Sequence, residues 1–390
     1  MVKFAHLADV HLGGWKQEPM QALNFDSFKK SIDMCLVANL DFILVAGDLF
    51  DSAYPPIEIL KETFEQFKRI KEAGIPCFII AGSHDYSVSG KTFLDVLEKA
   101  GFCKNVFDAE KREVGGEDQI FLNPHIHQNI AFYGYPGRKS GLEVPEIRKI
   151  KLNDSPGMFK IFMLHTTIDR VVGSLPIDSI ESAKLPKADY YALGHIHVRY
   201  NQEGFVYPGP VFPNNFKELE DLRQGSFVLV DTEANEQVQF IKIPTKEIEH
   251  FNLEYEDGLE ATEQILSELS KRNLQDKVVL LRVKGELKRG KNSDIKFTQI
   301  EEFAKERGAY FLLKNTHNLK TKEIELDIDI KEEGDIEEET IKAHSDKNPS
   351  DFNSLIGGLI GSLSIEKHED EKIENFNNRL LGEIRRILNF

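Results

Sequence analysis

The sequence predicts an α/β protein: an α/β/β/α two-sheet sandwich, then a small α+β domain, then a C-terminal helical tail. Three observations carry this. Short apolar runs near the N-terminus alternate with amphipathic stretches at helical spacing, so strands and helices interleave and right-handed crossovers give a largely parallel sheet. From Ile120 to Ile243 strand-like runs dominate, enough for a second sheet. After Pro244 the pattern changes again, which marks a boundary.

Taken in order, the first strand is Phe4 to Ala8, followed by a helix in which Phe25, Phe28, Ile32, Cys35 and Leu36 share a face. The second strand is Phe42 to Ala46. Pro55-Pro56 suits a helix start, Ile57, Leu60, Phe64, Phe67 and Ile70 form one apolar stripe, and Gly74 ends it before the strand Cys77 to Ala81. Later strands are Ile130 to Tyr135, Ile161 to Leu164, Tyr190 to Leu193, Phe205 to Tyr207, Phe227 to Val230 and Val238 to Ile243. The predicted domains are 1–244 for the sandwich, 245–330 for the α+β unit, 331–350 for an acidic linker and 351–390 for the tail. Within 245–330, strands at Phe251, Val278, Phe311 and Ile324 surround helices through Ile265 and Ile300. In the tail, Ile373, Phe376, Leu380, Ile384, Ile387 and Leu388 fall on one helical face. That face fits packing on its own protein and docking into a partner groove equally well.

A chain of 390 residues holds two or three domains with their own cores. Its three cysteines, Cys35, Cys77 and Cys103, are widely spaced and are expected to be reduced core residues of a cytosolic protein. The first strand follows Met1 at once and no apolar run reaches the length of a membrane span, so a soluble, cytoplasmic protein without membrane contact is expected. The net charge is -16, but Glu323 to Glu339 alone carries -9 and leaves -7 for the rest. Acidity therefore weakens a nucleic-acid partner without excluding it, because bound divalent cations offset negative charge at a site.

The chemistry lies at the strand ends. The runs described above terminate in Asp9-Val10-His11, Gly47-Asp48-Leu49-Phe50-Asp51, Gly82-Ser83-His84-Asp85, His165 and Gly194-His195-Ile196-His197. Each motif alone is weak, but carboxyl ends of strands in open α/β sheets are where ligands gather. His125-Ile126-His127, which follows Asn123-Pro124 without a strand leading into glycine, is read as a solvated loop. Two divalent ions about 3.5–4 Å apart can clamp a phosphoryl group and activate a water. In that scheme Asp48 bridges, Asp9, His11 and His197 complete one site, and His165, His195 and an oxygen of Ser83 complete the other. The mixed ligand set admits manganese, iron or zinc. His84 is left as the acid beside the leaving oxygen, or as a supporting group, with Asp85 able to orient its ring.

These motifs resemble, in order, those of the calcineurin-like metallophosphoesterases. Within that superfamily His6 to Gly13, Gly47 to Phe50, Tyr190 to His197 and Tyr207-Pro208-Gly209-Pro210 resemble the SbcD-type (Mre-eleven) DNA double-strand-break repair nucleases, in an archaeal form. The resemblance implies a metal-dependent nuclease with two Mn2+ ions, acting as exonuclease on duplex ends and endonuclease on single strands or hairpins. It further implies a capping domain over 245–330, a tail that binds a Rad-fifty/SbcC-type ATPase, and a homodimer for which the Ile57 to Ile70 stripe is a candidate surface. The same stripe also reads as ordinary core.

The sequence departs from the family pattern at Ser83, where an asparagine is usual, and this weakens the expected second metal site. Asp51 stands where some members carry a histidine and is assigned no catalytic role. Arg138, Lys139, Lys288, Arg289 and Lys291 are the basic residues expected to meet DNA phosphates, with Arg148, Lys149 and Lys151 as a further group. Two other functions compete: a phosphodiesterase for small substrates, and a catalytically impaired scaffold bridging an ATPase to DNA ends.

Overall fold

The computed structural model describes residues 2–86, 92–173, 177–234, 236–321, 341–342, 345, 350–365 and 373–388. Two six-stranded sheets form the sandwich. The first runs Val238–Lys242, Ser226–Asp231, Lys3–Leu7, Phe42–Ala46, Cys77–Ile80, Lys104–Asn105. The second runs Arg199–Gln202, Phe205–Pro208, Tyr190–Gly194, Phe159–His165, Ile130–Tyr135, His125–His127. The strands that lead into the site motifs are parallel within each sheet. The first sheet is mixed, because Ser226–Asp231 returns antiparallel to Lys3–Leu7 and pairs with Val238–Lys242 in the same sense.

Buried strands explain why the sequence shows apolar runs instead of clean alternation. Phe42 and Leu44 join Phe4, Phe78, Phe132, Ile161 and Met163 between the two sheets. Their neighbours Ile43 and Val45 face outward to Phe28, Ile32, Leu60, Phe67 and Leu94 on the helices Glu18–Val37, Ile57–Glu72 and Phe93–Lys99. Thus Leu60, Phe67 and Ile70 of the apolar stripe are core, and its exposed part is Ile57, at 77 %. The outer face of the second sheet carries Tyr133, Tyr135, Phe162 and Leu164, covered by Ile147, Ile168 and Ile180.

His125–His127 is an edge strand antiparallel to Ile130–Tyr135, which corrects the loop expected there. Its imidazoles lie within 5.6 Å of the Phe78 ring, so packing against an aromatic holds a segment with no strand-like pattern of its own. Cys35 and Cys77 are buried, Cys103 is half-buried, and all are free thiols.

By contacts the chain divides into two units, Met1–Lys320 and Thr321–Phe390. The first includes a third sheet of four strands, in which Ile248–Glu254, Val278–Leu287 and Phe311–Asn315 run parallel. Its helices Ala261–Ser270 and Phe297–Glu306 pack Ile265, Leu269 and Ile300 on one face. The opposite face supplies Val278, Leu280 and Leu313 to a cluster with Trp15, Met20, Leu23, Phe212 and Leu219. The change of pattern after Pro244 therefore separates sheets that share apolar packing. The strand expected near Ile324 lies outside the described residues, as does nearly all of the 331–350 linker. In the second unit the helix Ile373–Leu388 packs on Ile356–Leu363, with Ile387 against Gly358. Phe376, Leu380 and Ile384 are half-buried, while Ile373 is 70 % and Leu381 48 % exposed. No helix among the described residues is long and apolar enough to cross a membrane.

Phe42 contacts Phe4, Phe78 and Phe132 at the centre of the inter-sheet layer. Phe42→Ala is expected to cost about 3–5 kcal/mol in urea unfolding; a change below about 1 kcal/mol would show that the sheets close over the missing ring.

Candidate metal centre

The site is assembled where strand ends meet in backbone conformations that side chains rarely adopt. Asp9, His11, Asp48 and His195 have φ of 52°, 48°, 51° and 101°. Left-handed backbone at a non-glycine residue costs about 1–3 kcal/mol and persists only where neighbours enforce it. Here the loops enforce one another: Asp9 N–H donates to Gly47 O at 3.1 Å, and Val10 and His11 N–H donate to Asp48 O at 2.8 and 3.0 Å. Gly194 must be glycine, because a Cβ there would meet Ala46 O at 2.3 Å and His165 Nδ1 at 2.9 Å.

Three groups of side chains offer ligand atoms within 4.8 Å of one another: Asp9, His11 and His197; Asp48, His165 and His195; and His11, Asp48 and His84. Asp48 and His11 are the shared members. Asp48 Oδ2 lies 3.0 Å from His165 Nε2 and 3.6 Å from His11 Nε2, while its Oδ1 accepts from His84 N–H at 2.7 Å. Burial would raise this carboxyl, but the flanking His165 and His11 hold it well below the usual range.

Acceptors fix the imidazole tautomers. His11 Nδ1–H donates to Asp51 Oδ1 at 3.0 Å, His197 Nδ1–H to Glu218 Oε1 at 2.9 Å, and His165 Nδ1–H to Ala46 O at 2.9 Å. A carboxylate or carbonyl oxygen only accepts, so each Nδ1 carries the hydrogen and each Nε2 faces the site. The Nε2 atoms of His11 and His197 approach to 3.0 Å. Two neutral lone pairs aimed at one point repel, so the pair needs a shared proton or a cation. Asp9 Oδ2 is buried without a hydrogen-bond partner, while its Oδ1 accepts from His195 N–H at 2.9 Å. A buried carboxylate oxygen and converging imidazole nitrogens fit divalent metal ions.

The electrostatics of the pocket set which imidazoles hold a proton. Burial would lower His165, but Asp48 and Asp9 hold a proton on it and push it up to about 10. A metal ion would take that proton's place. Burial pushes His195 down to about 4, leaving a neutral imidazole able to ligate. Burial opposes a charge on His197 too, but Glu218 and Asp9 raise it.

Ser83 is buried in the site with Oγ 3.4 Å from Asp48 Oδ2. His84 stands at the mouth, its side chain 45 % exposed. Asp85 does not orient the His84 ring, contrary to expectation. Its carboxylate is buried and accepts from Leu49, Phe50 and Gly82 N–H, tying two ligand loops together, and burial beside Asp48 raises it to about 6. The His84 ring is held by Asp51 instead, whose carbonyl accepts from Nδ1 at 2.9 Å. Asp51 thus contacts both His11 and His84, a part that the sequence reading denied it. Glu218 was missed altogether; its only local signal is Asn215 three residues before it, a helix N-cap that accepts from Glu218 N–H.

The basic residues are scattered and mostly paired. Arg138 meets Glu146 at 2.8 Å, Lys288 meets Glu256 at 2.6 Å and Arg289 meets Asp257 at 3.0 Å. Lys139 and Lys291 are exposed. Trp15 is buried and donates to Pro213 O, so it offers no stacking platform.

A two-sheet sandwich with paired carboxylate and imidazole groups at its strand ends defines a metal-dependent phosphoesterase. Residues 2–199 match the calcineurin-like phosphoesterase family, and the chain belongs to it. It is 28 % identical to the DNA double-strand break repair protein Mre11 of Archaeoglobus fulgidus, over 66 % of this chain and 63 % of that protein. The match therefore spans less than two thirds of that relative. A protein of the same name from Methanocaldococcus jannaschii is 27 % identical over 76 % of each chain. The metallophosphoesterase YhaO of Bacillus subtilis, described as uncharacterized, is 30 % identical over 56 % of this chain and 55 % of its own.

Gly194→Ala is expected to displace His165 and lower the manganese retained after gel filtration, counted by elemental analysis, with the fold intact by circular dichroism. Unchanged metal content would show that the close approach at Gly194 does not matter to the site.

Proposed function

We propose that this chain is a manganese-dependent nuclease that hydrolyses DNA phosphodiesters at double-strand breaks. The observation that carries the reading is three overlapping groups of candidate ligands linked through His11 and Asp48, in a chain similar to several archaeal proteins named for double-strand break repair. Asp48 would serve both ions, with Asp9, His11 and His197 completing the set for one and His165 and His195 for the other, and Ser83 a short and weak contributor beside the second. When bound, two such ions neutralise phosphodiester charge and activate the attacking water.

The chain's own part is positioning and proton supply. The fixed tautomers point Nε2 of His11, His165 and His197 inward, so little rearrangement is needed on loading. His84 donates Nδ1–H to the Asp51 carbonyl, leaving Nε2 at the exposed mouth as the nitrogen that can take up a proton from solvent and pass it to a leaving oxygen. Asp51 Oδ1 lies 3.5 Å from the same ring. Arg138, Lys139, Lys288, Arg289 and Lys291 are proposed to receive DNA phosphates, exchanging surface pairs that are individually worth about 0–1 kcal/mol. Tyr54 and Ile57, 73 % and 77 % exposed near the ligand loops, are proposed as part of a homodimer surface. The helix Ile373–Leu388 is proposed to grip the coiled coil of a Rad-fifty/SbcC-type ATPase in the cytoplasm.

Cleavage of end-labelled duplex and hairpin DNA, and of a chromogenic small diester, tests this with manganese counted in each sample. The wild type is expected to cut DNA in preference to the diester. Ser83→Asn is expected to gain metal and rate. His84→Ala should keep its metal and lose about 10²–10⁴-fold in rate. Cleavage of the small diester alone would favour the small-substrate reading, and loss of metal in His84→Ala would make that residue a ligand. Deletion of 351–390 is expected to abolish co-purification with the ATPase while leaving cleavage intact; retained association would refute the assignment of the tail.

A further inference from the structure

The short helix Phe216–Leu222 touches both the metal ligands and the third sheet. On one side Glu218 Oε1 lies 2.9 Å from His197 Nδ1, and its carboxylate also accepts from Asn214 N–H at 2.8 Å and Asn215 Nδ2 at 2.6 Å. On the other side Glu220 makes a bidentate pair with Arg282, at 2.9 and 2.6 Å, and lies 2.8 Å from His250 Nε2. Residues two apart on a helix are about 200° apart around its axis, so one carboxylate faces the site while the other faces the third sheet. Three more contacts fix the helix to that sheet: Phe216 lies under the Arg282 guanidinium, Leu219 packs with Val278 and Leu280, and Arg223 donates to Ile248 O.

Glu218 has a counterpart. Asp51 does for His11 what Glu218 does for His197, and Asn214 joins the two, donating its backbone N–H to Glu218 and its side chain to Asp51 at 3.4 Å. Both imidazoles of the Asp9 group are therefore backed by carboxylates. In the Asp48 group His165 is backed by a backbone carbonyl. A carboxylate on the far nitrogen fixes ring orientation and strengthens the ligand.

We propose that Glu218 is a positioning residue for His197, and that the third sheet sets its position by holding Glu220 through Arg282 and His250. The inference rests on the two-metal reading of the site. It makes the Asp9–His11–His197 group the tighter of the two, and it couples movement of the third sheet to metal affinity in both directions.

Manganese binding by calorimetry on the full chain tests it, with thermal unfolding in chelator as the control for folding. Glu218→Ala is expected to weaken the tighter site about 10–100-fold, and Glu218→Gln, which keeps an acceptor, to weaken it less. Arg282→Gln, remote from the ligands, is expected to weaken the same site by about 5-fold. Lys314→Gln, which breaks the exposed Lys314–Glu301 pair elsewhere on the third sheet, should leave it unchanged. Wild-type affinity in both Glu218 variants would overturn the proposal. Wild-type affinity in Arg282→Gln, or an equal loss in Lys314→Gln, would overturn the part assigned to the third sheet. Failure of the wild type itself to bind manganese would refute the reading of the site instead.

Discussion

A buried carboxylate at the end of the central strand is the constraint on which the rest depends. Asp48 is nearly inaccessible, and a lone charge there would be too costly to keep. It is kept by His165, His11, the His84 N–H and Ser83, which come from three separate strand ends, Ser83 and His84 being neighbours in one turn. Those loops can reach it only with left-handed backbone at Asp9, His11, Asp48 and His195 and with glycines where chains pass closely. The inter-sheet layer around Phe42 then has a functional meaning: it fixes the two sheets at the separation that lets His165 and His195 from one meet Asp9 and Asp48 from the other.

The two ligand groups are not equivalent. The Asp9 group has carboxylates behind both imidazoles, whereas the Asp48 group relies on a carbonyl behind His165 and has only the short Ser83 hydroxyl beside its carboxylate. The asymmetry extends outward, since the carboxylate behind His197 belongs to a helix clamped by the third sheet. A small sheet outside the sandwich thus reaches the ligands by hydrogen bonds, without lending a ligand of its own.

What was legible in the sequence was local. Strand ends that break into glycine, aspartate and histidine carry their signal within a few residues, and apolar runs such as Phe42 to Ala46 announce strands buried on both faces. The side chains that the fold gathers at the candidate site were picked out this way. What stayed hidden depends on distant neighbours. Glu218 meets His197 across 21 residues, and Asp51 meets His11 across 40, so neither pairing has a spacing to read. Asp85 was misassigned because adjacency to His84 suggested contact, although the turn sends its carboxylate inward to backbone N–H groups. His125–His127 was misread because a strand of three residues has too little pattern to outweigh its proline and histidines.

The central claim is that two cations share Asp48 at the meeting of the two sheets. Anomalous diffraction at the manganese edge, from crystals of the full chain grown with Mn2+, tests it most directly. The account predicts two peaks, one among Asp9, His11 and His197 and a second of lower occupancy beside His165 and His195, with Asp48 touching both. A single peak that leaves His165 and His195 without metal, or two peaks that do not share Asp48, would contradict it.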